Sequence, residues 1–194
     1  RVFGYYFGRT SGATTSSLLQ AMNVCIQQDV DIVNMSLGGD SPSRVLDGAV
    51  DTMVQSGVIT CIAAGNSGPR SSTINSPSSA RLAISVAATD HEGYVASFSS
   101  RGPNPWYSWQ KPDIAGFGLN VLSASRHGGS TVMSGTSMAT PGVAGILACL
   151  LEAEKDNNDA SVYVDALLRD SANALGQTLS EVGQGFVSLP NIEL

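Results

Sequence analysis

Two glycine-bearing loops carry the residue types that acyl-transfer chemistry needs. Ser134-Gly135-Thr136-Ser137-Met138-Ala139-Thr140-Pro141 is a glycine turn feeding a long apolar segment, and it puts Ser137 in a first helical turn. Backbone N–H groups are free there and the positive end of the helix dipole favours an adjacent anion. Ala63-Ala64-Gly65-Asn66-Ser67-Gly68 places a polar amide just beyond an apolar run. A hydroxyl nucleophile with donors aimed at the oxyanion formed on attack is the minimum for acyl transfer. Asn66 offers a side-chain donor and Ser137 a backbone one. By residue type alone, Ser137 also reads as a helix cap and Asn66 as a turn residue. The serine block lacks a glycine two residues after Ser137, so it is not the elbow of an α/β-hydrolase.

The elements that must position these loops follow from periodicity. Residues 16–28 read as a helix, with Leu18, Ala21, Met22, Cys25 and Ile26 on one face. Residues 30–35 read as a short strand ending in Ser36-Leu37-Gly38-Gly39. Ser41-Pro42 has the form of a cap and first helical residue. The helix that follows buries Val45, Leu46, Ala49, Val50, Met53 and Val54, and Gly57 stops it. Residues 58–64 are almost continuously apolar, as in a parallel strand covered on both faces. Strands are also expected at 82–88, 95–98, 121–124 and 131–133, and a last one at 185–189. A long helix is expected from Thr136 to about Glu154 and another over 161–171. Ala139, Gly142, Ala144, Gly145 and Ala148 suggest that the long helix packs closely at the centre. The βαβα order predicts an α/β fold, a doubly wound and mostly parallel sheet with flanking helices. With no linker or repeat, residues 1–194 are expected to form one domain.

Bulk properties exclude several classes. Only 13% of residues are charged and the net charge is −6 without any Lys/Arg cluster, which argues against nucleic-acid or anionic-membrane partners. No apolar run is expected to reach the roughly 18 residues of a membrane span. Cys25, Cys61 and Cys149 each lie in an apolar segment and are expected to be free, buried thiols; no metal-ligand spacing is present. The chain opens Arg1-Val2-Phe3-Gly4-Tyr5-Tyr6, without Met or a signal peptide, and reads as a strand already under way. The expectation is a fragment or a processed product.

Four blocks carry a family resemblance: Asn34-Met35-Ser36-Leu37-Gly38-Gly39, Ala63-Ala64-Gly65-Asn66-Ser67-Gly68, Ala96-Ser97-Phe98-Ser99-Ser100-Arg101-Gly102-Pro103, and Gly135-Thr136-Ser137-Met138-Ala139-Thr140-Pro141. In order and spacing they resemble the subtilisin-like serine proteases, as does Lys111-Pro112-Asp113-Ile114. The resemblance implies a secreted or otherwise extracytoplasmic endopeptidase of this fold acting on peptide or protein substrates. Ser137 matches the nucleophile and Asn66 the oxyanion-hole amide. Ser36, Leu37 and Gly38 match the strand that pairs with substrate backbone. Ala63, Ala64 and Gly65 match a wall of the P1 pocket, which takes the side chain before the scissile bond, and Asn75 falls near its base. No acidic residue lies in these pocket segments, which argues against strict preference for a basic side chain.

The family's chain order is Asp, His, Ser, and its first two blocks are not in this sequence. His91 and His127 sit in polar turns and match neither. The expectation is that about a third of the domain, with its strong calcium site, lies outside this chain; no cofactor is expected within it. Without a general base these 194 residues are expected to be inactive. A fragment, a nicked enzyme whose N-terminal segment is a separate chain, and a peptide-binding pseudoprotease all remain open. Two departures from the family pattern stand out. Gly142 replaces a non-triad histidine, and Ala115-Gly116-Phe117-Gly118 replaces an Ala-Pro-Gly turn and is expected to form a looser, more hydrophobic loop.

Overall fold

The apolar run after Gly57 forms strand β2 (Ile59–Ala63), and all five of its residues are buried. The computed structural model describes Gly4, residues 12–104, 106–153, Val164 and residues 175–187. Around β2 lie helix α1 (Thr15–Gln27), strand β1 (Ile32–Met35), helix α2 (Arg44–Gln55), strand β3 (Ile84–Thr89) and strand β4 (Ile114–Phe117). The hairpin strands β5 (Val121–Ala124) and β6 (Ser130–Met133) follow, then helix α3 (Thr136–Ala153) and a single-turn helix α4 (Leu179–Val182). Strands β1-β2-β3-β4 form one sheet in that order, every pairing parallel.

Period-two alternation assigns the two faces. Ile59 and Cys61 of β2, Ile84, Val86 and Ala88 of β3 and Ile114 of β4 pack with Ala139, Val143 and Leu147 of α3. Ile62 of β2 points the other way, into a cluster with Leu18 and Met22 of α1 and Val50 and Met53 of α2. Helices therefore cover both faces, giving the α/β parallel sheet the sequence predicts. Fully burying one such aliphatic side chain stabilises by about 1.5–3 kcal/mol, so these two clusters fix the layers.

Several expectations are corrected. Ala115-Gly116-Phe117 is no loop: it lies within β4, paired with β3 through Ala87↔Ala115, Ala88↔Gly116 and Thr89↔Phe117. Gly116 eases the packing there: a Cβ would lie 3.0 Å from Val143 Cγ2 and 3.3 Å from the Ala139 carbonyl, tighter than most Cβ contacts. The close approach of helix and sheet is thus made by a strand glycine and Ala139, whereas Gly142 and Gly145 of α3 have open space around them. The cap of α2 is Ser43, whose Oγ accepts from Leu46 N, and not the Ser41-Pro42 pair. Val45 is 62% exposed while Asp47 is buried, so the inward face of α2 is displaced from the apolar pattern. Residues 95–98 contribute only a bridge from Val95 to Thr89. Cys61 is buried and its thiol is pushed up to about 12 by desolvation, but Cys25 is half-buried and Cys149 exposed. Helix α3, with 18 residues of mean hydropathy 1.3, is long and apolar enough to cross a membrane by length and composition, contrary to expectation. Its contacts with all four sheet strands make it a core helix.

One polar junction locks the sheet's far edge. Lys111, 1% exposed, donates from Nζ to the Ala83 carbonyl (2.6 Å) and to Asp113 Oδ2 (2.6 Å). Asp113 Oδ2 also accepts from Ser85 N at 2.7 Å. The expected strand at 2–6 and helix over 161–171 lie outside the described residues, apart from Gly4 and from Val164, which packs on the α3 cluster. Of the expected strand at 185–189, Phe186 bridges in parallel to Ala115, and residues 188–189 lie outside the described set.

Candidate active site

Strands β1 and β2 run parallel, so both deliver their following loops to the same edge of the sheet. The N-terminus of α3 arrives at that edge because its buried stripe Ala139, Val143 and Leu147 is seated on β2, β3 and β4. Ser36 and Asn66 thereby meet Ser137. Ser137 Oγ donates to the Ser36 carbonyl at 3.2 Å, and Ser36 Oγ donates back to the Ser137 carbonyl at 2.8 Å. Asn34 Nδ2 donates to Ser36 Oγ at 3.1 Å and orients it.

The amide of Asn66 is held by one side only. Its Oδ1 accepts from Thr136 N (3.0 Å) and Thr136 Oγ1 (3.1 Å), and Thr136 Oγ1 in turn accepts from Gly65 N (3.2 Å). This turns Nδ2 away from Thr136. A Cβ built on Gly135 would lie 3.5 Å from Asn66 Nδ2, 3.5 Å from Met138 Sδ and 3.7 Å from Ser137 N, so the two donors approach the same side of Gly135. No acceptor for either is seen among the described residues. Preorganised donors converging beside a hydroxyl are the geometry that stabilises a developing oxyanion.

The turn that carries Asn66 is buttressed by the Ser97–Pro103 block, whose part residue types alone do not reveal. Ser100 Oγ accepts from Ser67 N at 3.1 Å and Ser100 N donates to the Gly65 carbonyl at 2.8 Å. Gly65 has φ +110°, and a Cβ there would meet Ser100 Oγ at 2.7 Å, so conformation and space both demand glycine. Gly68 N donates to the Phe98 carbonyl at 2.8 Å. Thr136 and Ser100 are the positioning residues that sequence reasoning missed. Their signal was present in the quoted blocks, but their partners are 71 and 33 residues distant.

Ala63 and Ala64 are buried, with Ala64 N bonded to the Val86 carbonyl. Asn75 is half-buried, next to Ser76, whose carbonyl accepts from Gly39 N at 3.1 Å. The Asn75 turn is thus tied to the Ser36-Leu37-Gly38 segment. Neither histidine joins the cluster. His91 is an exposed turn residue 3.6 Å from Glu92, and His127 lies in the β5–β6 turn; no imidazole bonds to Ser137 among the described residues. Nor do three His, Cys, Asp or Glu side chains converge to hold a metal among those residues.

Comparison with known proteins bears on the family and the fold. The Subtilase family model (Peptidase S8) matches residues 1–187. The chain is 34% identical over 186 residues to subtilisin-like protease SBT6.1 of Arabidopsis thaliana, covering 90% of this chain and 18% of that protein. It is 37% identical over 182 residues to serine protease AprX of Bacillus subtilis, covering 76% of this chain and 41% of that protein. Among solved structures, the S41 psychrophilic protease superposes with a TM-score of 0.81 at 29% identity, covering 94% of this chain and 66% of that one. The chain therefore spans well under half the length of these two relatives. With the parallel sheet, the ordered blocks and the match over nearly its whole length, this chain belongs to the subtilase family of serine proteases.

Proposed function

We propose that these residues are the nucleophile-bearing part of a serine endopeptidase that cleaves extended peptides through an acyl-enzyme on Ser137. The observation that carries this reading is that Asn66 Nδ2 and Ser137 N both lie within 3.7 Å of one point beside Gly135, with no acceptor for either among the described residues. Substrate backbone pairs with Ser36-Leu37-Gly38, and its scissile carbonyl oxygen enters the space between the two donors. Ser137 Oγ bonds to the carbonyl carbon while its proton passes to a histidine held by an aspartate. The C–N bond then breaks, the leaving amine takes that proton, and water hydrolyses the ester. The histidine and aspartate come from a segment outside these 194 residues, in the same chain or as a separate one. Within the described residues Ser137 Oγ has only the Ser36 carbonyl as acceptor, which cannot take the proton; this supports the reading that the chain alone is inactive.

Calcium in the complete domain would belong to that other segment. The residues described here do not fit it: no three acidic, His or Cys side chains converge among them, and the buried space beside the Ala83 carbonyl and the Asp113 carboxylate is filled by Lys111 Nζ. The same reading assigns an extracytoplasmic compartment to the parent protein. A fluorophosphonate probe tests the proposal. It should label Ser137 in a protein carrying the Asp and His segment, and neither these 194 residues alone nor the Ser137→Ala variant. Labelling of the isolated chain would overturn its inactivity. The reciprocal bonding of Ser36 and Ser137, which occupies the hydroxyl without a base, favours one second reading, a catalytically dead peptide-binding module. An upstream sequence without the Asp and His blocks would establish that alternative.

A further inference from the structure

Asp47, in the first turn of α2, is buried to 4% exposure where an amphipathic helix ordinarily places an apolar side chain. Its Oδ2 accepts three hydroxyl bonds, from Ser76 (2.9 Å), Ser79 (2.9 Å) and Tyr107 (3.1 Å). Its Oδ1 is buried with no partner. None of the described ion pairs includes it, and the nearest cation on its own helix, Arg44, is exposed. A buried carboxylate without a counter-ion is costly, and replacing such groups by apolar ones is often neutral or stabilising. Core packing therefore does not account for it.

Its position relative to the cleft does. Residues 75–80 form a tight turn in which Ser79 N donates to the Asn75 carbonyl at 3.2 Å. Of residues 74–80 only Asn75, assigned to the base of the P1 pocket, is not buried. The turn is gripped from three sides. Asp47 takes the Ser76 and Ser79 hydroxyls, Ser43 N donates to Ser76 Oγ at 2.6 Å, and Gly39 N, from the substrate-pairing segment, takes the Ser76 carbonyl. On the third side Trp109 Nε1 donates to the Ser79 carbonyl at 2.9 Å, while Tyr107 stacks on Trp109 with centroids 4.2 Å apart.

We infer that Asp47 is a positioning residue for substrate selection: its buried carboxylate, acting through Ser76 and Ser79, sets where Asn75 stands relative to the Ser36-Leu37-Gly38 segment and so how large a P1 side chain the cleft admits. A carboxylate oxygen that accepts three hydroxyls at once is sufficient to register three elements. The inference rests on the proteolytic reading of the site.

The test uses Asp47→Ala, Asp47→Asn and Asp51→Ala in the complete protease, with peptides differing only at the residue before the scissile bond (Ala, Phe or Arg). Asp51 lies one turn further along α2 and accepts from Leu82 N, so it controls for lost helix anchorage. Asp47→Ala should change the ratio of KM for the Phe or Arg peptide to that for the Ala peptide by about tenfold, with kcat for the Ala peptide within about threefold of wild type. Asp47→Asn, which keeps an acceptor oxygen, should restore most of that ratio, and Asp51→Ala should leave it unchanged. Equal losses across the three peptides, parallel to Asp51→Ala, would overturn the inference. If the complete protein cleaves none of these peptides, the proteolytic reading fails, and calorimetric affinities for the same series then decide the Asp47 inference. An unaltered affinity ratio, or no binding at all, would sink it.

Discussion

The two polar junctions at opposite ends of the sheet are built on contrary principles. At the Lys111–Asp113 junction a fully buried ammonium finds a carboxylate and a carbonyl, both at 2.6 Å. At the Ser36–Asn66–Ser137 junction the contacts are neutral, between 2.8 and 3.2 Å, and two donors are left unmet on partly exposed residues. The first arrangement is saturated and contributes to stability. The second withholds satisfaction from donors that a substrate oxyanion would complete, at little cost because water reaches them in the free protein.

The contrast breaks most sharply at the hydroxyl. In a complete enzyme Ser137→Ala should lower kcat by about 10⁶-fold, because triad members act as a unit, while leaving the melting temperature nearly unchanged. Lys111→Met should do the reverse. It strands Asp113 without its cation and should cost about 3 kcal/mol in urea unfolding, the low end for a broken buried pair because the Asp113 side chain keeps 26% exposure. Unfolding curves indistinguishable from wild type would remove the claim that this junction matters for stability.

Asn66→Ala removes one of the two unmet donors and should reduce kcat about 10²–10³-fold with KM little altered, a magnitude measured in this family for the same kind of donor. Thr136→Val, which removes the hydroxyl bond to Asn66 Oδ1 and keeps the backbone one, should cost about tenfold, again in kcat. A Thr136→Val enzyme with wild-type kcat would show that Asn66 needs no orientation from the Thr136 hydroxyl.

The smallest effect concerns a third ion pair, Arg101 Nη1 to Glu181 Oε1 at 2.6 Å. The Thr178 backbone N–H, partly opposed by burial and helped by the Thr178 hydroxyl and Arg101, holds the Glu181 carboxyl below its ordinary value. A carboxyl depressed on folding stabilises the protein above its unfolded pKa and loses that contribution as pH falls through the folded one. Glu181→Gln should therefore lower stability slightly at neutral pH and flatten the acid limb of the stability–pH curve, its deficit vanishing at low pH. A parallel downward shift at all pH values would contradict this.

Legibility tracked how local the physical cause was. Strand β2 could be read directly, because burial on both faces demands an apolar run. Strand β4 could not: Ala115-Gly116-Phe117 has weak strand propensity, and Gly116 is there for the α3 side chains above it. On α2 the apolar pattern favoured Val45, yet Asp47 turns inward, because Ser76, Ser79 and Tyr107, 29, 32 and 60 residues away, satisfy its carboxylate. The small residues of α3 were legible as a feature but not as a contact, since which side of a helix faces the sheet depends on the sheet.

By itself the sequence determined the class of fold and the family, and it singled out Ser137 and Asn66 for the roles proposed above. Those depend on periodicity and on short blocks whose residue types are each needed by the chemistry. Only the tertiary structure decided that Thr136 orients Asn66, that Ser100 holds the turn beneath it, and that an acidic residue from α2 braces the segment assigned to the pocket. Each of those is a hydrogen bond between residues far apart in the chain, and its donor and acceptor acquire a direction only once the sheet and helices have packed.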